Sequence, residues 1–422
     1  MNQNAVIIGA NEEAIFSMEL AHRFGMHIDA LDGNAEAAGM SKADAAHHVD
    51  INDLDAVYAI TDKVQPAVVI PAPIGHCLTT VGAVNDRYGL AGVSERSAKL
   101  CTDKYLFHEE MAGAGLRDAE QVLLSSENRR GETAETDRAL SALTRYPVVV
   151  KPRFGSGSRG VEICESAEEL ERLLRYRLYK EGRPLDEDYV AESCVQGEEY
   201  GIDGAYVDGE FRMVLLRLKQ NTPPPYRQCV GYESILREEE PAFYENCIQL
   251  MQKMGRVIGF ENCVVHADII RRTADEPFVI ETSARPSGHN LSNLFTPLAT
   301  GVTLVEDFLK LAVPELNAEN SEGEFFGKEN LFRPRKTQKL RIRYYDLPVG
   351  RVVKVPQEDE IRRLPQVLAY VCNIKPGDVL GEVQNGASVM GRGYYILQGQ
   401  DSRELDAADE AVRSGFCVDC SE

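Results

Sequence analysis

The chain has 422 residues, a formal charge of −21 from 67 acidic and 46 basic residues, and an apolar fraction of 43%. Such a length exceeds one compact core and predicts about two to four domains, and the acidic balance argues against nucleic acid as a main partner, because a backbone binder needs a basic face. No apolar run approaches the roughly 18 residues that span a bilayer, and Met1-Asn2-Gln3-Asn4 lacks the charged and apolar regions of a secretory signal.

Ala5 to Ile8 is predicted as a strand, followed by Gly9-Ala10-Asn11 and a helix carrying Phe16, Leu20 and Phe24 at four-residue spacing. His27 to Leu31 and Ala67 to Pro71 are further strands, with a helix from Leu54 to Val64 between them. This alternation predicts a small parallel α/β domain. Its first turn offers only Gly9 of a dinucleotide-type glycine triplet, so packing beside a substrate cleft is the favoured role. A boundary is expected near Gly89-Leu-Ala-Gly92. Ser94 can then cap a helix that carries Cys101-Thr-Asp-Lys104-Tyr-Leu-Phe107, and the polar stretch Ser125 to Asp137 is expected to be a surface connection.

The most informative stretch is Tyr146 to Gly160, YPVVVKPRFGSGSRG. A strand ends at Lys151-Pro152, and Gly155, Ser156, Gly157, Ser158 and Gly160 follow in a loop before Val161 to Cys164 returns as a strand. Glycines let backbone N–H groups converge as an anion-binding nest, and the lysine adds a point charge suited to phosphate. The order excludes a P-loop, where the lysine follows the glycines, and a dinucleotide fold, where a helix follows them. An ordinary flexible hairpin tip is the competing account. A helix from Ser166 to about Tyr179 is next, then the strand Tyr189 to Val195, a strand pair turning at Val207-Asp-Gly-Glu210, and a stiff Asn221-Thr-Pro-Pro-Pro-Tyr226 segment. Phe243, Cys247, Leu250, Met254 and Ile258 mark one face of a helix.

His266-Ala-Asp268-Ile-Ile270 and Phe278-Val-Ile-Glu281-Thr-Ser283-Ala-Arg285 form a predicted hairpin across Thr273 to Glu276. Asp268 and Glu281 then stand side by side, an arrangement that is costly in an apolar sheet unless a cation lies between them. Mg²⁺, or Mn²⁺ in its place, suits two hard carboxylate ligands, with Ser283 as a further oxygen. A solvated acidic face is the alternative, and Ile269, Ile270, Val279 and Ile280 weigh against it. Arg285 points the same way and offers a forked donor. Asn317 to Asn330 has linker composition, and the remainder is predicted as short strands, among them Lys339 to Tyr344, Gly350 to Val355, Tyr370 to Ile374 and Tyr394 to Leu397, with a helix through Asp406 to Arg413. The ten cysteines are spread singly except Cys417 and Cys420, and no second close pair completes a zinc site. A reducing cytoplasm is the expected compartment.

From Ser94 to Pro314 the chain resembles the ATP-grasp superfamily. Lys104 resembles the lysine presented to the nucleotide before the lid, Lys151 the second nucleotide lysine, and Gly155 to Gly160 the phosphate-covering loop. By the same resemblance Glu192 and the backbone of Ser193 to Val195 would read adenine, and Glu199 the ribose hydroxyls. Asp268 and Glu281 resemble the metal pair, and Arg285 the arginine of an E-x-N-x-R motif in which this chain has Ser283 for the usual asparagine. The implied fold is multidomain, α/β and α+β: a parallel α/β domain over 1–93, an ATP-grasp domain over 94–314 with a lid at about 118–192, a linker over 315–332 and a β-rich domain over 333–422. The flanking regions resemble those of the carboxylate–amine ligase branch, which implies small carboxylate and amine substrates, ATP with Mg²⁺, and a homodimer by default.

Around the reacting centre, Tyr226 and Arg227 are placed to wall a substrate pocket, although a solvated loop arginine is the favoured account of Arg227. Ser287, His289 and Asn290 are candidate substrate contacts. His266 either touches substrate or sits satisfied in the sheet. Three functions follow: a carboxylate–amine ligase acting on amino acids or similar acids, a bicarbonate-activating enzyme on the same scaffold, and a nucleotide-binding protein without turnover. Lys151, Asp268, Glu281 and Arg285 together weigh against the third, and the lack of a biotin-domain lysine motif or glutaminase region weighs against the second.

Overall fold

A computed structural model describes residues 3–125, 132–155, 157, 160–178, 187–223, 228–273, 275–317, 327–384 and 386–420. Strands β1 (Asn4–Ile8), β2 (His27–Asp32), β3 (Ala45–His48) and β4 (Val68–Val69) form a parallel sheet in the order β3-β2-β1-β4. Helices α1 (Ile15–Arg23), α2 (Leu54–Val64) and α3 (Leu78–Tyr88) connect its strands or follow them. Ala5 to Ile8 are buried to the last residue, as a strand covered on both faces must be.

Helix α4 (Glu95–Thr102) begins at the Ser94 cap and stops one residue before α5 (Lys104–Gly113). The sequence suggests one helix through Cys101 to Phe107. Asp103 breaks it by adopting an extended conformation and accepting hydrogen bonds from Tyr105 N and Leu106 N, at 3.1 and 3.2 Å.

A second small sheet follows. Strand β5 (Gln121–Leu124) leads into α6 (Glu132–Ala142), which occupies much of the stretch expected to be a surface connection. Then come β6 (Val148–Pro152), β7 (Glu162–Cys164), α7 (Ala167–Leu178) and β8 (Tyr189–Ser193). The order is β5-β8-β6-β7, and Val148 pairs with Cys164 across the glycine loop. Leu143, Leu170 and Leu174 pack on Val148 and Val150 in a core separate from the rest.

The central body is one eight-stranded sheet. Its strands are β9 (Glu198–Val207), β10 (Glu210–Asn221), β11 (Cys229–Ile235), β12 (Cys263–Arg271), β13 (Pro277–Ser283), β14 (Leu340–Tyr344), β16 (Val367–Cys372) and β18 (Gly393–Gln398), in the order β13-β12-β9-β10-β11-β14-β18-β16. Side chains alternate across a strand, and β12 uses that alternation to separate packing from chemistry. Cys263, Val265, Ala267 and Ile269 join the core under α8 (Pro241–Ile258), whose Phe243, Cys247, Met251 and Met254 are fully buried. His266 and Asp268 therefore turn to the opposite face.

The C-terminal segment is not a sheet apart. Tyr232 of β11 pairs with Ile342 of β14, so three late strands extend the central sheet. Only β15 (Gly350–Lys354), β17 (Val379–Leu380) and β19 (Cys417–Asp419) form a small sheet of their own. Among the described residues, no helix is long and apolar enough to cross a membrane.

Candidate active site

Two cavities adjoin at the glycine loop: the first lies between the glycine-loop sheet and the central sheet, and the second between β12–β13 and the start of α3 with helices α4 and α5. The first has a volume of about 210 Å³, and its upper wall carries Lys104, Lys151, Gly155 and Gly157. Gly155, Gly157 and Gly160 have φ of 114°, 69° and 72°, a left-handed backbone open to glycine and strained for other residues. Ser156 and Ser158 lie outside the described residues. Lys104 Nζ donates to Gly155 O at 2.8 Å, and Lys104 N donates to Arg153 O at 3.2 Å, so the start of α5 is tied to the foot of the loop. Burial lowers the Lys104 pKa, with Glu281 acting in the opposite direction.

Ser193, Val195, Glu192 and Glu199 line the same cavity. The sequence reading assigns the Glu192 side chain to adenine, but the structure turns its carboxylate onto the interior cations. Lys151 Nζ donates to Glu192 Oε1 at 2.5 Å, Arg117 Nη2 holds Oε2, and His108 Nδ1 is 3.2 Å from Oε2. Burial alone would raise the Glu192 pKa; Lys151, Arg117 and His108 together hold it well below the usual carboxylate range. His108 is pushed down to about 3, chiefly by burial.

On the lower wall, Asp268 and Glu281 are direct cross-strand partners, and both line the first cavity. The register continues through Gly201 of β9 to Arg217 of β10. Arg217 is fully buried and ion-paired with Asp203, and a Cβ on Gly201 would meet its Nε at 2.8 Å. Lys219, two residues further along β10, donates from Nζ to Asp268 Oδ2 at 2.5 Å. Burial works to lower the Lys219 pKa, and the Asp268 carboxylate raises it well above the ordinary lysine value. Glu281 makes no ion pair among the described residues. No cluster of three or more His, Cys, Asp or Glu side chains is suited to a metal among them. Two adjacent carboxylates beside phosphate-type cations fit Mg²⁺, which takes one or two protein carboxylates and completes its shell with phosphate oxygens and water.

Ser283, two residues beyond Glu281 on β13, stands opposite His266 and lines the second cavity together with Glu281. That cavity, about 360 Å³, shares Lys104, Gly155 and Glu281 with the first and adds Arg285 and His266. Arg285 Nη1 donates to Pro286 O at 3.0 Å, while its buried Nε has no hydrogen-bond partner among the described residues. His266 Nδ1 is 3.1 Å from Arg285 O, and burial followed by the Arg285 charge pushes its pKa down to about 4.

Of the remaining candidates, Tyr226 and Arg227 lie outside the described residues. Ser287 is buried, and its Oγ has no hydrogen-bond partner among the described residues. His289 and Asn290 both adopt left-handed backbone, φ 61° and 59°. His289 N donates to Glu13 Oε1 at 2.6 Å, and Tyr344 Oη donates to His289 O at 2.5 Å, which clamps this turn between the N-terminal sheet unit and β14.

Several site residues escaped the sequence reading. Gly75 and His76, from the loop before α3, and Thr79, in its first turn, wall the second cavity. Arg117 and Lys219 were missed as well. Arg217 and Lys219 did leave a signal, since two cations on one face of the apolar strand Val214-Leu-Leu require buried carboxylate partners.

Comparison with known proteins agrees with this geometry. Residues 144–293 match the ATP-grasp domain, and residues 103–184 match the ATP-binding domain of the carbamoyl-phosphate synthase L chain. An L-arginine-specific L-amino acid ligase of Bacillus subtilis is 22% identical over 376 residues, covering 84% of this chain and 83% of that protein. Alanine–anticapsin ligase of Bacillus subtilis strain 168 is 27% identical over 233 residues, 49% of this chain and 46% of that one. The fold is that of the L-amino acid ligase from Bacillus licheniformis, with a TM-score of 0.75 at 17% identity over 100% of this chain and 99% of the other. The chain thus carries an ATP-grasp domain, and the relatives it resembles along most of its length are L-amino acid ligases.

Proposed function

We propose that this ligase activates a small carboxylic acid, an amino acid in the first instance, as an acyl phosphate and joins it to an amine, releasing ADP and phosphate. The observation that carries the reading is the facing pair Asp268 and Glu281. It looks across one cavity at Lys104, Lys151 and the glycine loop, and Arg285 lies in the adjoining cavity. The names of the relatives that act on amino acids support the choice of acid.

In this reading Asp268 and Glu281 would hold Mg²⁺, which supplies charge neutralisation between phosphate oxygens as the phosphoryl group moves in line to the acid. Lys104, Lys151 and the backbone of Gly155 to Gly160 hold the triphosphate. The backbone of Ser193 to Val195 meets the base, and Glu199 the ribose. The glycine loop keeps water from the acyl phosphate. An amine then attacks the acyl carbon, phosphate leaves, and the proton lost by the amine passes to solvent or phosphate. Arg285 stabilises the oxyanion and the departing phosphate, a contact worth about 3 kcal/mol in comparable sites. No covalent enzyme intermediate is required.

Phosphate release from ATP and Mg²⁺ tests the proposal. Release only with paired amino acids is the expected result. Release with bicarbonate alone assigns the enzyme to the bicarbonate-activating class, and tight ATP binding without release under any pool assigns it a non-catalytic role.

A further inference from the structure

Side chains that face each other in an antiparallel pair stand about 4.5–5.5 Å apart at Cβ. Two carboxylates so placed repel one another unless a cation is near. This chain brings its own. β10 directs two cations at Asp268 from two strands away, and their situations differ. Arg217 is fully buried and ion-paired with Asp203. Lys219 lines the cavity, and among the described residues its one ion pair is with Asp268 Oδ2, with 10% of its side chain and 20% of that of Asp268 exposed. Lys104 and Lys151 stand on the other wall of the same cavity.

We propose that Lys219 is a positioning residue that stands in for the divalent ion, its ammonium occupying Asp268 until an ion takes that carboxylate and then turning to the phosphate oxygens in the same cavity. The inference rests on the reading above in which Asp268 and Glu281 are the ion's ligands. An ion and an ammonium compete for one carboxylate oxygen, because each repels the other at that distance. The ammonium rides on a flexible four-carbon stem with rotatable donors, so it can change partners without backbone movement. An ion alone must therefore displace Lys219 and binds weakly. Nucleotide gives the displaced ammonium a new partner, so ion and nucleotide favour each other's binding.

The test is Mn²⁺ binding to the full chain, followed by the electron paramagnetic resonance signal of free Mn²⁺, with and without a non-hydrolysable ATP analogue. Without nucleotide, Lys219→Met is expected to bind Mn²⁺ about ten-fold more tightly than the wild type, and Lys219→Arg to match the wild type. The analogue is expected to tighten Mn²⁺ binding more in the wild type than in Lys219→Met. If Lys219→Met does not fold by circular dichroism, Lys219→Gln serves, with the same expected direction. Unchanged or weaker Mn²⁺ binding in the neutral variants, while Asp268→Asn abolishes it, overturns the role of Lys219 and leaves the metal assignment standing. Wild-type Mn²⁺ binding in both Asp268→Asn and Glu281→Gln overturns the metal assignment and this inference with it.

Discussion

Arg285 keeps its guanidinium against a position that has no side chain. A Cβ on Gly75 would lie 3.3 Å from Arg285 Nε, closer than ordinary van der Waals contact, so Gly75→Ala must push the guanidinium aside. A misplacement of about 1 Å can cost about 100-fold in rate, and the shift needed here is a few tenths of an ångström. Gly75 lines only the second cavity. Steady-state kinetics of Gly75→Ala should therefore show a kcat reduced by up to about ten-fold and a KM for ATP close to that of the wild type. Glu192 makes a second residue-scale prediction. Glu192→Gln leaves Arg117 and Lys151 buried without their carboxylate, a loss of about 3–5 kcal/mol that denaturant unfolding would register. Because the folded-state pKa of Glu192 is lowered, its contribution is present above the ordinary carboxylate pKa and is lost as pH falls from there toward the folded-state value. The wild type should lose stability more steeply through that acid range than the glutamine variant. At this scale, the side-by-side placement of Asp268 and Glu281 was legible because a short turn joins two apolar strands that each carry one carboxylate. Lys219 was not, since its partner lies 49 residues away and only strand order joins them.

The junction of α4 and α5 ties local structure to ligand binding. Asp103 caps α5 and also pairs with Arg153 at the foot of the glycine loop, Oδ2 to Nη2 at 2.6 Å. Arg153 in turn reaches Asp188 at 3.0 Å. Removing an N-cap costs about 1 kcal/mol. Asp103→Ala should cost that much by thermal or chemical unfolding and also raise the KM for ATP, because the loop loses its tether. Asp103→Asn should keep the cap and lose the ion pair, separating the two effects. The two helices were read as one because apolar periodicity continues through the break, and the aspartate that stops the first helix also starts the second. Helix α8 and the hairpin of β12 and β13 were legible for the opposite reason: apolar spacing and turn residues agreed with each other.

At the scale of the whole molecule, the central sheet depends on strands from the end of the chain. Glu233 of β11 is 3% exposed and is held by Arg341 Nε at 2.9 Å, Lys339 Nζ at 3.0 Å and Ser402 Oγ at 2.6 Å, all from beyond residue 333. Ending the chain at residue 332 strips β11 of its neighbour and leaves that carboxylate buried without its cations. Circular dichroism during urea titration should show no cooperative transition for the shortened chain, where the full chain shows one. The sequence disclosed the α/β character of the N-terminal unit and the strand-rich character of the end of the chain. That the late strands join β11 was not legible, because local patterning does not encode which distant edge a strand will meet.

Lys104, Gly155 and Glu281 belong to both chambers at once. They are a party wall, and neither tenant can remodel it alone. In the proposed reading a change there would alter the grip on nucleotide and acid together, whereas a change at Gly75, His76 or Thr79, which line only the second cavity, would act on the acid alone.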